Sequence, residues 1–170
     1  TYPQIIHLTD RMDYLSAHMN NEAVCLCVEK ALEIEVPERV MYIRTILDEL
    51  NRLASHQLWW CAMGMDMGAL TTFFYGLRDR EQILDIFEES FGSRLIHSFN
   101  TPGGLMHDVH KNFRQRIKDF IVYFRKKLPE LPIKLSSKCL IMAQYQNRPF
   151  YLIDNICDCK CFPGTGHTKK

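Results

Sequence analysis

Apolar residues recur at three- and four-residue intervals along most of this chain, the spacing of amphipathic helices rather than strands. Residues 10–34 carry Leu15, Met19, Val24, Leu26, Val28, Ala31 and Leu32 at helical spacing, with Asn20-Asn21 marking a kink. The opening, DRMDY, places Asp10, Arg11, Asp13 and Tyr14 at the start of that helix, where acids complement the dipole. Before it, residues 1–9 read as a short extended stretch, because Pro3 restricts Tyr2. Pro37 and Glu38 suit a helix first turn and open a long helix reaching about Met63. Val40, Ile43, Ile46, Leu47, Leu50, Leu53, Ala54, Leu58 and Trp59 cover more than one of its faces, so it should be central. Asp48, Glu49, Arg52 and His56 lie along the same helix at pairing distances and are expected to form a buried polar ladder. Residues 71–91 predict a third helix ended by Gly92, and residues 111–128 a fourth with a basic end, Arg125-Lys126-Lys127, stopped by Pro129 and Pro132. Between them, TPGG is a turn with two residues free to take positive φ.

The expected fold is therefore all-α, a bundle of about four main helices with an irregular C-terminal tail. Residues 1–132 read as the helical domain. From residue 133 periodicity fades, and residues 133–170 read as a separate tail, disordered or non-native in texture.

The stretch 57–77 organises the rest. It holds Trp59, Trp60, Phe73, Phe74 and Tyr75, and its only formal charge is Asp66, between Gly64 and Gly68. A membrane span of that length is disfavoured by a mid-segment acid. The preferred reading is a buried helix end, a Gly-marked break carrying Asp66, and a new helix opening near Thr71. A buried carboxylate there must be paired, protonated or facing water.

Composition adds limits: 46% apolar and 24% charged residues are ordinary for one globular domain. The net charge of +1 gives no argument for nucleic acid. The first residues lack the charged and apolar regions of a secretory signal, and a start without Met reads as a fragment or processed product. Seven cysteines, an odd number, favour a reducing compartment. Cys157, Cys159 and Cys161 with His167 suggest a zinc-binding adaptor, but one intervening residue is closer than structural zinc spacings.

Several ordered blocks resemble one family. They are LTDRMDYLSAHMNNEA at 8–23, CVEKALEIEVPERV at 27–40, IRTILDELNRLASHQLW at 43–59, MDMGALTTFFYGLRDRE at 65–81, and FEESFGSRL followed by PGG. Together they resemble the quinone-site D subunit of the proton-pumping NADH-quinone oxidoreductase, respiratory complex I, across roughly residues 5–128. Residues 133–170 carry no such block. The family is much longer than this chain, and its amino-terminal histidine hairpin, half of the quinone headgroup site, has no counterpart here.

The resemblance implies that Tyr14 hydrogen-bonds a quinone carbonyl and that Asp66 orients the histidine of that hairpin. It implies menaquinone or ubiquinone as substrate, electrons arriving from an iron–sulfur cluster held by another subunit, and NAD bound on a different subunit. The implied partners are the other peripheral-arm subunits, above all the one carrying the terminal cluster, and the membrane-arm subunits. The implied location is peripheral, on the cytoplasmic side of the bacterial inner membrane, or the matrix side if mitochondrial. One departure stands out. Many relatives have Arg-Met-His before the PGG turn, with that His near the cluster. Here Ile96 takes its place, His97 is displaced by one, and Thr101 stands for the family Arg before PGG. The family shares ancestry with nickel–iron hydrogenase large subunits, but Cys25-Leu26-Cys27 splits its thiols onto different helix faces, so no nickel is expected. The competing reading is an all-α interaction module without catalysis of its own.

Overall fold

A computed structural model describes residues 2–66 and 70–128. The chain is built on a long helical hairpin. Its core forms around helix α3, Glu38–Asp66, the third helix in chain order. Pro37 precedes it, and Glu38 supplies the acid in its first turn. Ile43, Ile46, Leu47, Leu50, Leu53, Ala54, Trp60 and Cys61 are all buried along it. Helix α4, Leu70–Phe91, returns antiparallel with Ile83, Leu84, Ile86 and Phe87 in the same core. Each fully buried side chain of this size contributes about 1.5–3 kcal/mol. Gly76 sets how closely the two helices approach: a Cβ there would overlap Cys61 Sγ and lie 3.3 Å from Trp60 Cε3. Gly92, at φ +73°, ends α4 and donates its N–H to Glu88 O at 2.8 Å.

Helix α5, Phe113–Lys127, closes the core with Phe113, Ile117, Phe120, Ile121 and Phe124 on one stripe. Its last turn is Arg125, Lys126 and Lys127, as the dipole favours. Before it, strands β1 (Asn100–Thr101) and β2 (Gly104–Leu105) form a minimal antiparallel hairpin in register Asn100↔Leu105. Pro102 and Gly103 make its turn. Of the two glycines, only Gly103 takes positive φ, +89°. Pro followed by positive-φ Gly is the type II pattern.

The amino-terminal part departs from expectation. Residues 2–9 are helical, not extended: α1 spans Tyr2–Thr9. Pro3 falls in its first turn, where a missing N–H breaks no helical bond. Helix α2, Ala17–Leu32, begins seven positions later than Asp10 and runs unbroken through Asn20-Asn21. It ends at Glu33, in the left-handed region at φ 53°, with the N–H returned to Glu29 O. The DRMDY block thus forms the α1–α2 connection rather than a helix start. Among the described residues, no helix is long and apolar enough to cross a membrane. The run Cys157, Cys159, Cys161 and His167 lies outside the described residues.

Candidate functional site

Tyr14 stands on a connection that is fixed at its root. Asp10 is fully buried and accepts hydrogen bonds from Asn21 Nδ2 (2.5 Å), Ser98 N (3.1 Å) and Ser98 Oγ (2.5 Å). His7 Nδ1 lies 2.9 Å from Ser98 Oγ, and Thr9 Oγ1 lies 2.7 Å from Asn21 Oδ1. Ser98 is held at φ 43°, a strained value for a residue with a Cβ, and the Asp10 carboxylate binds both its N–H and its hydroxyl there. Arg11 donates to His7 O at 2.7 Å, and Asp13 accepts from Leu15 N at 3.2 Å. Asp10 therefore serves as a buried acceptor joining three segments, not as a dipole partner. Beyond this root, Tyr14 is 64% exposed. Its phenol is therefore open to contact from outside the chain.

Asp66 is the last residue of α3, at the break where the sequence places it. Its carboxylate is exposed, which corrects the expectation of a group trapped in a packed core. The helix ends by lifting the acid out of the interior, so no burial penalty arises. Among the described residues, no hydrogen bond joins Asp66 to Tyr14. Asp48 on α3 pairs with His18, beside the Tyr14 connection, and Asp66 lies roughly 27 Å farther along the helix axis.

The expected ladder on α3 is not a buried one. Glu49 and Arg52 pair at 3.3 Å, but the Arg52 side chain is half-exposed. Asp48 turns instead to α2, with its Oδ1 2.8 Å from His18 Nδ1. His56 is half-buried, and burial first, then the Arg52 charge, push its pKa down. The polar network that is buried centres on Arg44, 2% exposed. Its guanidinium donates to Glu29 Oε1 (2.8 Å) and Oε2 (3.1 Å), Glu22 Oε1 (3.4 Å), Thr101 O (2.9 Å) and Gly104 O (2.8 Å). Glu29 Oε1 also accepts from Gly103 N at 2.8 Å. One ion pair thus fixes the PGG hairpin against α2 and α3. The signal for it was present: Arg44 sits between core positions Ile43, Ile46 and Leu47, where an unpaired cation would be costly.

His97 is buried in a box of rings, with centroids 4.7 Å from Phe87, 4.8 Å from Phe91 and 6.2 Å from His18. Neither of its nitrogens has a hydrogen-bond partner. Burial, reinforced by His18, pushes its pKa down to about 3, so it is neutral in the folded protein. Burial likewise raises the Cys25 and Cys61 thiols to about 11, which leaves them unreactive near neutral pH. Cys25 is buried and Cys27 exposed, on different faces as the spacing implies. Among the described residues, no group of three or more His, Cys, Asp or Glu side chains is placed to hold a metal.

Residues 66–147 match the family model described as respiratory-chain NADH dehydrogenase, 49 kDa subunit. The chain is 62% identical over 125 residues to the C/D subunit of the NADH-quinone oxidoreductase of Bacteroides thetaiotaomicron, covering 74% of this chain and 24% of that protein. It is 49% identical over 131 residues to the D subunit of the NADH-quinone oxidoreductase of Chlorobium phaeobacteroides, covering 76% of this chain and 32% of that protein. The chain therefore spans about a quarter to a third of the length of the curated relatives it matches.

Proposed function

From a chain whose residues 66–147 match the family of the 49 kDa subunit of respiratory-chain NADH dehydrogenase, and which is 62% identical over 125 residues to a C/D subunit, we propose that it forms part of the quinone-reducing site of an NADH-quinone oxidoreductase. The observation that carries the reading is the 62% identity to a C/D subunit, together with an exposed phenol on a fixed connection at the position of the family tyrosine. In this reading Tyr14 donates its O–H to one quinone carbonyl. As the quinone takes two electrons, delivered through an iron–sulfur cluster of another subunit, Tyr14 passes its proton to the developing oxyanion and is reprotonated from water. A hydrogen bond to an oxygen gaining charge contributes about 1.5–3 kcal/mol, more in the reduced state than in the ground state.

Asp66, exposed and without a described hydrogen-bond partner, is available to a histidine brought by the part of the longer protein that precedes this chain. A carboxylate–imidazole pair holds that histidine in its protonated form, ready to supply the second proton. NAD binds on a different subunit, and the subunit sits peripherally, on the cytoplasmic or matrix side, against the cluster-bearing and membrane-arm subunits. Ile96 at the place of the cluster-facing histidine favours a low-potential quinone such as menaquinone.

The test is Tyr14→Phe in the full-length subunit, in membranes. Quinone reduction by NADH should fall at least about tenfold, while electron transfer to an artificial acceptor stays intact. Unchanged quinone reduction would make Tyr14 a surface residue and return the chain to the role of an all-α interaction module.

A further inference from the structure

Arg80 is a buried cation without an ion pair: burial weakens its charged form, and the nearby Glu81 charge, the main one favouring it, does not bond it directly. Arg80 is 8% exposed, its Nε has no hydrogen-bond partner, and among the described residues no carboxylate lies within ion-pair distance of its guanidinium. The neighbouring Glu81 is engaged by Arg94, which also holds Asp85 and Glu88. The other buried charges on these helices have partners: Arg44 has Glu29, and Asp79 has Arg78 and the Tyr123 hydroxyl at 2.8 Å.

A second unsatisfied group lies on α3 at the level that helix register gives Arg80 on α4. The contact of Gly76 with Cys61 fixes the antiparallel register of α3 against α4. One turn along each helix from that contact, the register brings Gln57 level with Arg80. Gln57 is 3% exposed, and neither its Oε1 nor its Nε2 has a partner. A buried amide with both atoms unpaired and a buried guanidinium without an ion pair are each expensive. Apolar side chains of similar volume would cost less at both places, so their pairing at one level of the bundle calls for a ligand.

We propose that Arg80 and Gln57 form a binding site for one carboxylate group, inserted between α3 and α4, with Arg80 supplying the charge and Gln57 Nε2 a second donor. A guanidinium plus an amide N–H matches the two oxygens of a carboxylate. The carboxylate comes either from an Asp or Glu of the longer protein or its assembly, or from a small acid in solution. The site is independent of the quinone reading.

The sign of one substitution tests it, measured as thermal stability of the full-length protein in its assembly. If a carboxylate occupies the site, Arg80→Met strands it and lowers the melting temperature by several degrees, and Arg80→Lys restores part of the loss. If Arg80 is merely an unpaired charge, Arg80→Met leaves the melting temperature unchanged or raises it, and the proposal is overturned. Should Arg80→Met not accumulate, the Arg80→Lys protein carries the test. A carbodiimide activates a neighbouring carboxylate, and the introduced amine displaces it to form an amide with net loss of water. A crosslink mapped to an acid other than Glu81 identifies a protein side chain as the source. Absent that, saturable stabilisation by acetate against chloride of equal ionic strength, abolished by Gln57→Leu, identifies a free acid. Failure to find either a crosslink or acetate stabilisation overturns the site.

Discussion

Replacing Arg44 by Met removes a charge while keeping most of the side-chain volume. The loss is large because Arg44 satisfies three segments at once. Glu29, itself 5% exposed, would keep only the Gly103 N–H as a partner, and the carbonyls of Thr101 and Gly104 would each lose a donor. Breaking a buried pair from one side costs about 3–5 kcal/mol, much of it the penalty on the acid left behind. A domain with about 5–15 kcal/mol in all would lose a large share. The assay is urea unfolding followed by tryptophan fluorescence, since Trp60 is 5% exposed and reports on the α3–α4 core. The double variant Arg44→Met, Glu29→Met should be more stable than Arg44→Met alone, because no orphaned carboxylate remains. The pH dependence carries the same signature. Burial alone would raise the Glu29 pKa, but the hydrogen bonds from Arg44 and Gly103 and the Arg44 charge outweigh it, and the net shift is downward. Its contribution is therefore complete above the ordinary carboxylate range and is lost as pH falls through the depressed value. Glu22, raised mainly by burial, acts in the opposite sense and offsets part of it. Additive losses in the double variant, or a cost below about 1 kcal/mol for Arg44→Met, would refute the account.

Two further outcomes follow from the region of residues 96–97. His97 is neutral when folded and protonated below about 6.5 when unfolded, so stability should fall between that pH and about 3, by up to roughly 1.4 kcal/mol per pH unit. His97→Phe, which keeps a ring in the box beside Phe87 and Phe91, should flatten that slope in denaturation at pH 7 and pH 5; parallel slopes would count against the assignment. On the proposed reading, in which Ile96 takes the place of a cluster-facing histidine, and with His97 held neutral, redox titration of the whole enzyme should give a cluster potential that is low and nearly independent of pH. A steep slope would remove this support for a low-potential quinone.

Sequence alone determined the helices that run by local rules. The spacing of apolar residues set α3, α4 and α5, Pro37 and Gly92 set a start and a stop, and the PGG turn read directly from Pro and Gly chemistry. The family blocks single out Tyr14 and Asp66 as site candidates by motif alone, and the structure leaves both exposed. Tertiary structure decided what depends on partners far along the chain. Asp10 is buried against Ser98, which is 88 residues away in sequence and bonds its carboxylate twice, and residues 10–16 form the connection between α1 and an α2 that starts at Ala17. Asp48 chooses His18 over Arg52, and Arg44 is buried because α2 brings Glu29 across to it. Periodicity reports which side of a helix is inside; it holds no record of which charges meet there, since those pairs form only once the helices have packed.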